Sequence, residues 1–504
     1  MEVSAFYGDD LVSLTLPDRT RVLRAPPPLS PLPDYENEVL ERLRQPLGCP
    51  PLRNMVDAQS RVTIAFDDAV LPLPPMLKDV RGRALQVILK ELESVGVRRE
   101  RIDLICAIGL HRKFTPRELR HLVGRSVWSS MNKGSIRNHD AENASELMHL
   151  GDTPSGYPVV INRAVSDSDL LIYVNVNWTS MNGGWKSIMV GLGDFLSIRA
   201  HHNPRVLADG GSVMDPSSQF HDVIREQGKT VKEHASVFTV ETVLNNRVWG
   251  PIMDKLLTLN RPRPLRPFVW AQHLPPSPKR LFSSLLRSAY QPAAVHAGDI
   301  DEVHPRTLDV LHRQQNVVLE EQADALFLSL PNLSPYAVFS RINPLLSFNI
   351  ALGYVFNFFQ GRPPVKEGGV LILNHPFLPG FNRRHHPSYI EFYDKVLPRT
   401  KDPLEMEELY EEDFARRPEY IDMYRHHYAY HGIHPFYVWY WASIALKHLN
   451  SIIVTGAVDD AIPKRMGLDT ASGLDEALGK TAEILGDDFS LLHLCIPPIF
   501  CTTP

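Results

Sequence analysis

The 504-residue sequence carries 53 Lys and Arg against 58 Asp and Glu, a net charge of -5, with 43% hydrophobic and 22% charged residues. That balance is globular, and the length suits about three ordinary domains or two large ones, so a disordered or fibrous chain is excluded. With no basic block, a dedicated nucleic-acid binder is excluded too, because such affinity rests on neutralising phosphates.

In chain order, residues 3–16 alternate apolar and polar side chains around Tyr7-Gly8 and predict a hairpin. Residues 61–66 (RVTIAF) read as a buried strand ending in Asp67-Asp68, and residues 77–95 have helical period. Residues 102–108 (IDLICAI) predict a second buried strand running into Gly109-Leu110-His111-Arg112. Thr115-Pro116 then opens a helix, with Thr115 as N-cap and proline at the first helical position. Residues 159–161 and 170–176 are further strands, followed by a polar loop over 177–185, Lys186, and a helical stretch over 193–202. The proline-rich run at 260–268 marks a boundary, after which strands are predicted at 323–330, 368–373, 449–455 and 491–496. Strands alternating with helices predict two α/β domains, 1–262 and 268–504, with sites at the carboxyl ends of strands.

Cys49, Cys106, Cys495 and Cys501 form no CxxC pair and fit a reducing compartment. The first residues lack the basic and apolar regions of a secretory signal, and the uncharged stretch near 435–446 is too short to span a bilayer. A cytoplasmic protein with no membrane contact is expected. Generic nucleotide and metal motifs are absent: there is no GxGxxG, no GxxxxGK[ST] and no HExxH. His427 and His431 have the spacing of a helical metal pair. With His426 and His434 they read instead as an aromatic, partly exposed helix, and His385-His386 as a solvated loop.

The candidate site is four strand-end clusters: Asp67-Asp68, the GLHR of residues 109–112, Asn138-His139-Asp140, and the stretch from Asn177 through Lys186 to His202. Their order, with GLHRKFTPREL, NHDAEN, LGDTPSGYPVVINR and NGGWKSIMVGLGDFLSIRAHH, resembles the lactate racemase family, enzymes that use a nickel-pincer nucleotide. The resemblance covers most of residues 3–265 and returns more loosely in the second domain.

What this resemblance implies is specific. Lys186, after Gly183-Gly184-Trp185, would carry the pyridinium nucleotide as a covalent thioamide, on the N-terminal domain facing the interdomain cleft. His202 would be the protein ligand to nickel, with His201 as the adjacent-register alternative. His111 would be the catalytic base, poised by Asp68, which also lies at the cofactor. Maturation proteins that build the cofactor would be partners. Racemising a 2-hydroxy acid asks for a proton acceptor at the hydroxyl while hydrogen leaves carbon as hydride; histidine serves near neutral pH, and the cofactor carries the hard step.

Two expected groups are missing. The family's second histidine, ten residues before the lysine, falls at Val176, and no histidine occurs in residues 170–185. The carboxylate-gripping arginine of Asp-x-x-Arg-x-x-Pro is replaced by Leu71, and the arginine before Gly156 by Ser155. The expectation is therefore an isomerase, a racemase or epimerase of a hydroxy compound other than lactate. Leu71, Trp178, Met181 and Trp185 would line an apolar pocket, with Arg112 or Arg163 able to take a substrate carboxylate. One-sided hydride transfer, or non-catalytic carriage of the cofactor, are the competing readings.

Overall fold

A computed structural model describes residues 1–132, 134–250, 287–338 and 340–504. Two six-stranded sheets organise them. The first runs in the order Pro292–Gly298, Val237–Leu244, Leu170–Asn177, Val62–Asp67, Ile102–Ala107 and Ile136–Asn138. Its strands are parallel except for the antiparallel edge Pro292–Gly298. The second runs Asp469–Ala471, Ser451–Thr455, Val365–Asn374, Ala323–Ser329, Leu491–Cys495 and Arg21–Arg24, all parallel.

Parallel sheets are covered on both faces, so their strands are apolar throughout and do not alternate. Leu170–Asn177 is accordingly buried at all eight positions. One hydrophobic cluster joins the two sheets, running from Phe66 and Val174 to Trp439 and Leu492. The expected boundary at 260–268 lies outside the described residues. Arg21–Arg24 closes the edge of the second sheet, whereas Pro292–Gly298 and the following helix Ile300–Gln315 belong to the first. The two sheets therefore do not part at a single point along the chain.

The first sheet has a switch point. After Val62–Asp67 the chain adds Ile102–Ala107 and Ile136–Asn138 on one side, then Leu170–Asn177 and Val237–Leu244 on the other. A crevice opens where the order reverses, at the carboxyl end of the central strand. Asp67-Asp68 sits there.

The hairpin forms as Glu2–Tyr7 and Asp10–Thr15, and Thr115 caps Pro116–Ser130 in a reciprocal capping box with Glu118. Two expectations change. Pro158–Asn162 pairs with Leu147–Asp152 in a separate hairpin, outside both large sheets. The polar loop expected over 177–185 ends sooner, and a helix not expected there, Gly184–Gly191, carries Lys186, because the polar run turns sharply at Gly183-Gly184 and buries Trp185, Ile188 and Met189 behind it. Among the described residues no helix is long and apolar enough to cross a membrane.

Candidate active site

Asp67 and Asp68 leave the central strand in opposite directions. Asp67 Oδ2 accepts from Val176 N at 2.7 Å and Oδ1 from the Tyr173 hydroxyl at 3.2 Å, tying two strand ends together. Burial raises the Asp67 carboxyl to about 6, against the pull of the Val176 N–H, Arg81 and Lys186. Arg81, buried beneath the turn, donates to the carbonyls of both aspartates and pairs with Asp79 at 2.6 Å, so it braces the backbone and does not face the crevice.

Asp68 turns inward. Its Oδ1 accepts from Val70 N at 3.1 Å, and its Oδ2 lies 2.7 Å from His111 Nδ1. With Nδ1 donating to the carboxylate, His111 keeps Nε2 as a free lone pair, the arrangement a base requires. The His111 loop is pinned by Gly109, whose N–H donates to Gly191 O at 2.9 Å. At φ +51° a Cβ there would meet Val190 O at 2.2 Å, so only glycine lets this loop close onto the lysine helix.

Gly183 and Gly184 have φ of +92° and +56° and do not line the crevice. Their role is the turn that starts the helix. Gly184 N donates to Glu241 Oε1 at 2.7 Å, and the same carboxylate meets His304 Nδ1 at 3.1 Å. A carboxylate at a helix N-terminus complements the helix dipole. Trp185, expected at the cofactor, is turned away: its ring packs on Gly228 and its Nε1 donates to Asp301 at 2.8 Å. Lys186 does enter the crevice, beside Asp67, Asp68 and His111. Burial pulls the Lys186 amine below its ordinary value, with Asp67 and Asp68 opposing.

A second, adjoining pocket shares His111 and Val190 with the first and is lined by His202, Tyr336, His434, Tyr437 and Trp441. His111 thus stands between Lys186 on one side and His202 on the other. Burial holds His202 well below its ordinary value, and its Nδ1 is buried without a hydrogen-bond partner. His201 points into the core instead, with Nδ1 3.1 Å from Gln227 Oε1, and is absent from both pockets. Among the described residues no three His, Cys, Asp or Glu side chains converge as a metal site.

Other expectations are corrected. Leu71 lines the crevice, but Trp178 and Met181 do not, and the aromatic wall comes from Tyr336, Tyr437 and Trp441 of the second half. Arg112 is spent in a buried pair with Glu118 at 2.7 Å, and Arg163 lies exposed near Asp167, so neither reaches the crevice. Ser155 is exposed on a hairpin turn. His139 is structural, bonded to Gly193 O at 3.0 Å and to Asn162, with burial lowering it to about 4. The helix Pro418–His426 ends before His427, so His427 and His431 share no helical face, and His431 Nε2 bonds Glu142 at 2.9 Å. His386, His431 and His434 are buried, not solvated. His434 lines the second pocket 5.3 Å from the His111 ring, a site residue that sequence reasoning missed.

The fold and crevice define an α/β protein whose titratable groups gather at a sheet switch point, against a wall from its second half. Residues 7–215 match the lactate racemase N-terminal domain. A lactate racemase of Lactiplantibacillus plantarum is 27% identical over 173 residues, 33% of this chain and 38% of that protein. One of Thermoanaerobacterium thermosaccharolyticum is 24% identical over 203 residues, 39% and 45% respectively. The chain thus matches less than half the length of these relatives. The lactate racemase apoprotein structure from T. thermosaccharolyticum superposes with a TM-score of 0.64 at 16% identity, covering 100% of both chains. A Thermotoga maritima crystal structure gives 0.52 at 12% identity, covering 94% of this chain and 99% of that one. Residues 7–215 thus resemble a lactate racemase N-terminal domain, and the chain shares the fold of the lactate racemase apoprotein.

Proposed function

We propose that this protein is a nickel-pincer-nucleotide-dependent racemase or epimerase of a hydroxy compound other than lactate. The observation that carries the reading is the pair of adjoining pockets that place Lys186 and His202 on either side of a His111–Asp68 pair. The residues suit the cofactor. A buried lysine with a lowered pKa is a better nucleophile than an exposed one. A neutral imidazole with an unpaired Nδ1 is a suitable ligand for nickel. With no convergent ligand trio among the described residues, the remaining ligands would come from the nucleotide itself.

The bound nucleotide would supply the acceptor that takes up and returns the carbinol hydrogen with its electron pair. The chain's own contribution is proton handling and exclusion of water. His111 Nε2 takes the hydroxyl proton, and Asp68 fixes the tautomer and orients the ring. The crevice walls Val70, Leu71, Tyr336, Tyr437 and Trp441 favour a larger, less polar substrate than lactate.

The test is intact mass and nickel content of protein from cells that make the cofactor. Wild type should carry the covalent nucleotide and nickel, Lys186→Ala should lose the adduct, and His202→Ala should lose nickel. His201→Ala should keep nickel but lose stability. A full adduct on Lys186→Ala protein refutes the attachment.

A further inference from the structure

Resting on that reading, we propose that His434 is a second catalytic acid–base group, exchanging the hydroxyl proton of the enantiomer that His111 does not serve. Two mirror-image carbinols that aim their C–H bonds at one hydride acceptor carry their hydroxyls at two different, neighbouring positions on the same carbon. One imidazole covers one of those positions. The other needs a second proton acceptor beside the first, within the same cavity.

His434 stands there. Its ring is 5.3 Å from that of His111, edge to face, and both side chains line the same pocket. Its Nδ1 is held 2.5 Å from the hydroxyl of fully buried Tyr389, and among the described residues its Nε2 has no hydrogen-bond partner. In the tautomer with Nδ1 protonated, Tyr389 accepts and Nε2 presents a lone pair to the cavity. Tyr389 thus stands to His434 as Asp68 stands to His111.

The placement is rigid. His431 N donates to Leu110 O at 3.2 Å and the Tyr424 hydroxyl to Gly109 O at 2.8 Å, so the segment bearing His434 is fastened to the loop bearing His111. Burial and the neighbouring histidines keep His434 neutral, the form able to accept a proton. No histidine is present in residues 170–185 to fill the role from the first sheet.

In the proposed step the hydroxyl proton moves to His434 Nε2 while the C–H bond breaks. The bound nucleotide would supply the acceptor for the hydrogen and both its electrons, leaving the substrate as a carbonyl compound. Hydride returned to the opposite face of the carbonyl would re-form the C–H bond with oxygen now at His111, which starts the cycle as imidazolium and supplies its proton. The proton held by His434 then passes back to His111, directly or through water.

The test is single-turnover acid quench of loaded enzyme with D- and L-mandelate, measuring the keto acid formed. Wild type should yield it from both enantiomers. His434→Gln should lose about a hundredfold or more for one enantiomer and little for the other, the general acid–base share of such a step, and His111→Asn should show the opposite preference. Equal loss for both enantiomers, or none, overturns the assignment. Wild type that yields keto acid from neither enantiomer counts against the functional reading. A second measurement then decides for His434 alone: in the apoprotein, diethyl pyrocarbonate should modify His434 faster than His431, whose Nε2 is occupied by Glu142, and mandelate should slow it. Modification no faster than at His431 overturns the proposal, whatever the activity.

Discussion

Replacing Glu241 should be the sharpest test of how the lysine helix is held. The side chain is fully buried, accepts the Gly184 N–H at 2.7 Å, and meets His304 Nδ1 at 3.1 Å. Glu241→Ala leaves a buried donor at the helix start unpaired, worth about 1–3 kcal/mol. It also strips His304 of its partner, and breaking a buried pair from one side costs about 3–5 kcal/mol in all. Glu241→Gln keeps a neutral acceptor for Gly184 and should lose only about 1.5–3 kcal/mol, the value of the charged hydrogen bond. Burial pushes this carboxyl up, but His304 and the Gly184 N–H outweigh it and hold it below its ordinary value. Its stabilisation is therefore present above the ordinary carboxylate pKa and is lost as pH falls through the folded value, so the gap between wild type and variant should close in acid. Urea unfolding by tryptophan fluorescence reads the loss, and amide exchange at Gly184 localises it. Covalent loading of Lys186 should fall in parallel. Variants within about 0.5 kcal/mol of wild type, the ordinary scatter of surface changes, would refute the idea that this pair holds the turn.

Two further outcomes are expected. His111→Asn should lower turnover per folded molecule by about 10²–10⁴ with adduct mass and nickel intact; reduced stability with turnover unchanged would make His111 a structural residue only. With Tyr336, Tyr437 and Trp441 walling the crevice, D- and L-lactate should show kcat/KM about tenfold to a hundredfold below mandelate, as expected for losing the burial of one aromatic side chain, about 1.5–3 kcal/mol. Efficient racemisation of lactate with mandelate ignored would show that the aromatic wall does not select the substrate.

The sequence by itself determined what is local. Continuous apolar runs specify parallel strands, Thr115-Pro116 with Glu118 starts a helix, and polar residues at strand ends mark Asp68 and His111 as neighbours, while the family resemblance points to Lys186. These follow from short-range periodicity and capping, which need no distant partner. Tertiary structure decided which way the side chains turn and what faces them. Trp185 and Arg112 read as site residues until packing committed them to Asp301 and Glu118. His201 and His202 are indistinguishable in the chain, yet one is held in the core by Gln227 and the other lines the pocket. Glu241 is 57 residues from Gly184, and His434 lies more than 300 residues from the His111 it touches. No local pattern encodes such meetings, because they exist only once two sheets share a core and loops from both close over one crevice.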